Sequence, residues 1–198
     1  MKKLLVLILA VMLVMACGSS RQVSRVAADT TIDLSGKWND TDARLVSEEM
    51  IQDCLSRPWI NDFNMAQGTK PVVTVGTIRN LSDEHIDTET FTTDFERELL
   101  NSGKVKFVAA RKDRQEIRDE RREQQEYASD ETVKRLAVET GADFIIQGSI
   151  KTIVDQIEGR RVVYYQTDME LVNIESNEKV WIGTKKIKKE ITQKGHKW

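Results

Sequence analysis

Residues 161–174 read RVVYYQTDMELVNI, and their alternation decides the fold class. Val163, Tyr165, Met169 and Leu171 fall on one side of an extended chain, and Gln166, Asp168 and Glu170 on the other. That is the period of two of a strand with one buried face. Upstream, residues 142–155 carry Phe144, Ile145, Ile146, Ile150, Ile153 and Val154, a long apolar strand, and Glu158-Gly159 makes the turn between the two. Downstream, Glu175-Ser176-Asn177-Glu178 makes a second turn into a last strand over residues 179–187. Two short turns between three strands predict an antiparallel meander.

Working back towards the N-terminus, the period changes. Ala43, Val46, Met50, Ile51, Cys54 and Leu55 recur at helical spacing, and Asp40-Thr41 can cap the free N–H groups of that first helix. Arg57-Pro58 ends it, because the residue before proline avoids the helical region, and an irregular stretch is expected to follow. Pro71 then precedes the β-branched run Val72-Val73-Thr74-Val75-Gly76-Thr77-Ile78, a buried strand, and residues 80–87 read as a polar loop. Asp87 can cap a second helix whose core edge is Phe91, Phe95 and Leu99 and whose closing residue is Gly103. A second strand is expected at residues 105–108. Residues 111–127 are almost entirely charged with Ile117 as the main apolar residue, and Lys112/Glu116 and Arg122/Glu126 sit at pairing distance on a helix. With both signs interspersed, a solvated helix is preferred there to a basic binding element. A further helix is expected from Ser129-Asp130 to Gly141, and the glycines at 141 and 148 fit close packing of a helix against the third strand. The predicted fold class is an α/β (α+β) sandwich: helices packed on a mixed sheet that ends in the meander.

The chain begins with Lys2-Lys3 and an apolar run, residues 4–15, of about a dozen residues, within the range of a signal peptide and short for a membrane span. The run ends Val14-Met15-Ala16-Cys17, which resembles the lipobox of bacterial lipoproteins: a small residue before the cut and a thiol after it for diacylglyceryl transfer. The alternative is an ordinary secretory leader that ends in cysteine. The lipobox reading divides the chain into a signal peptide (1–16), a lipidated N-terminus with a short tether (17–33) and a periplasmic domain (34–198). Lipoproteins of this kind carry three acyl chains on the cysteine, and two lipid signals already suffice for stable anchoring. Gly18, where the sorting rule of enteric bacteria has Asp for inner-membrane retention, implies the outer membrane.

Composition narrows the function. The formal charge is −2, and loss of Lys2 and Lys3 with the leader takes it to −4, which does not suit a general nucleic-acid binder. Cys54 is the one cysteine besides Cys17, so packing has to supply the stability of the exported domain; at its place on a helical stripe it reads as a buried, inert thiol. There is no nucleophile elbow, Ser-x-x-Lys, phosphate loop or dinucleotide glycine pattern. His85 and His196 have no second ligand at zinc spacing, and Asp83, Glu84, His85 and Asp87 lack the spacing and glycine of a calcium loop, so no metal is expected. Lys185, Lys186, Lys188, Lys189, Lys194 and Lys197 protect an exposed edge strand or, in a second reading, steer an acidic partner or an anionic cell-wall polymer.

A family resemblance joins these pieces. Leu34-Ser35-Gly36-Lys37-Trp38-Asn39-Asp40-Thr41-Asp42 after the lipobox, Pro71 to Gly76, Arg79-Asn80, Glu84-His85-Ile86-Asp87-Thr88, Asn101-Ser102-Gly103-Lys104-Val105, Gly141-Ala142-Asp143-Phe144, Gly148-Ser149-Ile150, Glu170-Leu171 and Lys179-Val180-Trp181 resemble the penicillin-binding protein activator lipoproteins of the LpoB family. The resemblance implies a domain similar to the N-terminal domain of TolB. It implies no catalysis, no cofactor beyond the lipid on Cys17, and no small-molecule substrate. It also implies docking on a non-catalytic domain of a class A penicillin-binding protein, a bifunctional peptidoglycan synthase, from the outer membrane. Polar positions near the domain's start and the exit of the first strand, Trp38, Asn39, Asn80 and His85, are the candidate partner contacts; the other reading of Trp38 is that it packs the domain's entry. Enteric members have a long Pro-rich tether, whereas residues 17–33 contain no proline. A second function class, an envelope export component of the curli-secretion type, would need extra amphipathic hairpins beyond the strands that the sheet itself uses.

Overall fold

The computed structural model describes residues 22–127 and 140–192. The leader, Cys17, Gly18, the helix expected at 129–141 up to residue 139, and His196 with the last lysines lie outside them. Residues 22–30 carry one turn, Thr30 N–H to Ala27 C=O at 3.1 Å. The compact unit that starts at Thr31 contains α1 (Asp40–Ser56), α2 (Trp59–Gln67), β1 (Val72–Leu81), α3 (Thr88–Asn101), β2 (Lys106–Phe107), α4 (Arg111–Tyr127), β3 (Phe144–Ile157), β4 (Arg160–Asn173) and β5 (Lys179–Thr192). No helix among the described residues is long and apolar enough to cross a membrane.

The five strands form one mixed sheet in the order β2-β1-β3-β4-β5. β1 runs parallel to both β2 and β3, and β3, β4 and β5 form the expected antiparallel meander. Parallel neighbours need crossovers, which the segments containing α3 and α4 supply. Alternation then sorts the side chains. Ile146, Leu171 and Trp181 line up across β3, β4 and β5 on the buried face, and Gln147, Glu170 and Ile182 on the opposite one. α1 packs on α3 and β5, and α3 on β1 and β2, so these two helices close the core with Val46, Met50, Phe91, Phe95 and Leu99.

Several boundaries differ from the expected ones for local reasons. Asn39, one residue earlier than Asp40, caps α1: its side chain accepts the Asp42 N–H at 3.2 Å and Asp42 accepts the Asn39 N–H at 3.0 Å, a reciprocal capping box. The stretch after Pro58 is helical, not irregular. Proline is tolerated at a helix start, where its missing N–H would have no partner. Trp59 and Phe63, four apart on α2, both pack edge-on against Phe144 at 5.4 Å, and Trp59 Nε1 donates to the Cys54 carbonyl at 2.8 Å. That i, i+4 aromatic pair was the available signal. α2 closes on Gly68 at φ +68°. β1 continues through Asn80 and Leu81, with a bulge between Val75 and Ile78, so Asn80 is a strand residue. β2 keeps only Lys106 and Phe107 of the expected four. β5 runs on to Thr192 because it stays in register with Arg160 at the start of β4.

Gly148 is tightly packed, against β4 and not against a helix. A Cβ there would overlap the backbone oxygen of Asp168. On α4, Arg122 pairs with Asp119.

Candidate functional site

Glu84, in the loop between β1 and α3, gathers three parts of the chain. One carboxylate oxygen accepts the backbone N–H of Trp38 at 3.0 Å, and the other accepts the hydroxyl of Tyr165 on β4 at 2.8 Å. Its carbonyl accepts from Asn80 Nδ2 at 2.7 Å. Asn80 shapes the same loop, its oxygen accepting the N–H and hydroxyl of Ser82 at 3.0 and 2.6 Å. The loop is therefore held from inside by side chains that would otherwise compete for backbone groups.

The segment leading into α1 crosses this region as a strap. Gly36 sits at φ +68°, a conformation that glycine adopts without strain, and a Cβ there would overlap Ile191. The ring of Trp38 meets Tyr165 edge-on at 5.5 Å. Lys189 on β5 donates to Asp33 and Asp42 at 2.6 Å each and to the Lys37 carbonyl at 3.1 Å. Asn39 Nδ2 adds bonds to Asp33 at 2.7 Å and to the Ile32 carbonyl at 3.2 Å.

Burial, with the hydrogen bond to Glu84, pushes the Tyr165 hydroxyl well above the ordinary tyrosine range, so it keeps its proton and donates it. Burial works against the charge on Lys189, but the hydrogen bonds to Asp33 and Asp42 outweigh it and hold the ammonium above the ordinary lysine range. Lys189 in turn keeps the Asp33 carboxyl below the usual carboxylate range, with help from Asn39. Lys189 spends its hydrogen bonds on the strap, and Tyr165 spends its hydroxyl hydrogen on Glu84, which itself holds the strap. Among the described residues, no group of three or more His, Cys, Asp or Glu could hold a metal ion.

All four candidate contacts border this node. Trp38 reaches it through its own N–H, Asn80 through its amide, and Asn39 through the adjoining cap; His85, next to Glu84, is exposed. Trp38 and Asn39 have evident structural duties, entry packing and capping. Sequence reasoning missed the residues that organise the node, Glu84, Tyr165 and Lys189. The partners of their side chains in this node are 46 to 156 residues distant along the chain, and no local pattern marks them.

Comparison with known proteins supplies what this geometry does not. The family model "Peptidoglycan-synthase activator LpoB" matches residues 42–187. The chain belongs to the LpoB family. The matched segment runs from the first turn of α1 through most of β5, so it takes in part or all of every helix and strand of the domain, and the family is one of synthase activators. Among solved structures, the LpoB C-terminal domain of Escherichia coli is similar at 17% identity over 66% of this chain and 93% of that one, with a TM-score of 0.38. The Salmonella enterica LpoB C-terminal domain is similar at 16% identity over the same shares, with a TM-score of 0.37. Lipoprotein GNA1162 of Neisseria meningitidis is similar at 11% identity over 61% of this chain and 83% of that one, with a TM-score of 0.33. A search of curated protein sequences returned no match.

Proposed function

We propose that this LpoB-family chain is an outer-membrane lipoprotein, anchored through an acylated Cys17 and facing the periplasm. It binds a non-catalytic domain of a class A penicillin-binding protein and stimulates its peptidoglycan synthesis. The observation that carries the reading is the match to the peptidoglycan-synthase activator family over residues 42–187. An activator of this kind works without chemistry of its own: it binds the active arrangement of the synthase better than the inactive one, because equal affinity for both would shift nothing. The end of the domain around Glu84 is the proposed contact. It is tied together by hydrogen bonds within the loop and between distant segments, and presents the exposed His85 and Asn80 beside the half-buried Trp38. A prebuilt surface loses little conformational freedom on docking.

The short tether bears on geometry. Residues 17–33 reach at most roughly 60 Å when fully extended and much less as a coil, so the domain stays near its membrane, and either the synthase extends towards it or the partner differs from that of the enteric members. The test is co-purification of the chain with the class A synthases of the same cell, with glycan polymerisation measured with and without it. Complex formation and faster polymerisation are expected. Failure to bind or stimulate any of those synthases overturns the proposal. Mass spectrometry of the mature N-terminus tests the anchor separately, and an unmodified Cys17 overturns that part.

A further inference from the structure

We propose that a small pocket under α4 binds a phosphate or diphosphate group. In sequence, residues 111–127 mix acids and bases, but the helix separates them. Arg114, Arg118 and Arg121 lie four and three residues apart, on successive turns of one face, and all three line a single cavity of about 190 Å³. Its remaining walls include Ile117, Val108 and Thr140, and no carboxylate lines it among the described residues. Glu96 and Asp113 border a separate, larger groove onto which Arg114 and Arg118 also open, whereas Arg121 faces the small pocket alone.

Two observations mark this cluster as unfinished without an anion. Arg114 Nε is sealed from solvent yet has no hydrogen-bond partner. Buried donors are almost always satisfied, so an orphan of this kind points to a missing acceptor. Arg121 is half-buried on a mostly exposed helix and makes no hydrogen bond or ion pair among the described residues, while its neighbour Arg122 pairs with Asp119. The guanidinium groups of Arg114 and Arg121, on residues that line one small space, suit the oxygens of a phosphoryl group, which accept such donors in pairs. The cavity has room for a group of several heavy atoms such as a phosphate or diphosphate. The phosphoryl group has two possible sources, a soluble anion or the headgroup of a lipid in the membrane beside the domain.

The full chain in neutral detergent is titrated with pyrophosphate at constant ionic strength, while the Arg114 Nε–H resonance is followed by NMR and the heat by calorimetry. A second arm replaces pyrophosphate by phosphatidic acid doped into the micelles. A saturable response with a Kd of about 1 mM or tighter is expected. Arg114→Gln and Arg121→Gln weaken it by about tenfold or more each, and Arg122→Gln leaves it unchanged. Arg114 and Arg121 are half-buried and Arg122 is exposed, and circular dichroism of each variant checks that it folds. Response to pyrophosphate assigns a soluble ligand; an arginine-dependent response to the doped micelles alone assigns a lipid headgroup. No saturable response in either arm, or an equal loss in the Arg122 variant, overturns the site. The readout is independent of synthase stimulation, so it stands or falls apart from the activator reading.

Discussion

Glu84 accepts the hydroxyl hydrogen of Tyr165 at 2.8 Å, tying the loop after β1 to the middle of β4 across 81 residues of sequence. The same carboxylate holds the strap through the N–H of Trp38. One side chain thus sets the relative positions of the domain's entry, its loop and its sheet. Tyr165 is 1% exposed, so its hydroxyl has no water to fall back on. Tyr165→Phe is expected to cost about 1–2 kcal/mol, and Glu84→Ala, which orphans two donors, about 2–3 kcal/mol. Urea unfolding measures both. A loss under about 0.5 kcal/mol in each would show that Glu84 does not tie these segments together.

Function and stability separate at the candidate contacts. Asn39→Ala removes the cap of α1 and is expected to cost about 1 kcal/mol, read as a lower urea midpoint. His85→Ala, at an exposed position, is expected to leave the midpoint within about 0.5 kcal/mol while lowering synthase stimulation. Full stimulation by the His85 variant would move the contact elsewhere on the surface.

The acid limb of stability rests on paired carboxylates. The indole N–H of Trp181, with Arg57, holds Asp53 below the usual carboxylate range; Lys179, with Gln147, does the same for Glu170. A lowered folded-state value means that the stabilisation is complete above the unfolded pKa of about 4 and is lost as pH falls through the folded value. Unfolding midpoints measured from pH 7 down to pH 2 are therefore expected to fall below about pH 4. Asp53→Asn flattens part of that fall; an unchanged slope would show that the Trp181 contact is not felt in solution.

The alkaline limb has a different origin. Burial pushes the Cys54 thiol up to about 12. A raised value places the stabilisation below the unfolded pKa of about 8.5, and it is lost as pH rises towards the folded value. Cys54, fully buried, is expected to resist iodoacetamide at pH 8 in the native chain and to react promptly in urea. Fast alkylation without denaturant would contradict the packing of α1.

Gly148→Ala probes the sheet. The added methyl meets a backbone oxygen of β4, which cannot rotate away, so β3 and β4 have to part locally. A loss of about 1–3 kcal/mol is expected, seen as a melting temperature several degrees lower. No change in melting would mean that the strands adjust freely there.

The sequence by itself determined what depends on neighbours along the chain. The period-two pattern of β4, the Phe91-Phe95-Leu99 edge of α3, the Asp87 cap and the two turns of the meander were all legible, because helices and strands repeat at fixed spacings. α2 was legible in principle from Trp59 and Phe63, but Pro58 masked it. Only the tertiary structure decided the rest. Glu84 looked like one acid in a polar loop until the fold brought Trp38 and Tyr165 to it, and Lys189 looked like one of several edge lysines until Asp33 and Asp42 closed around it. The arginine face of α4 follows from helical spacing, but it became one wall of a pocket only once the helix stood against Val108 and Thr140. Hydrogen bonds and ion pairs between distant segments leave no periodic trace, since what selects them is burial and geometry, and both exist only after the chain has closed on itself.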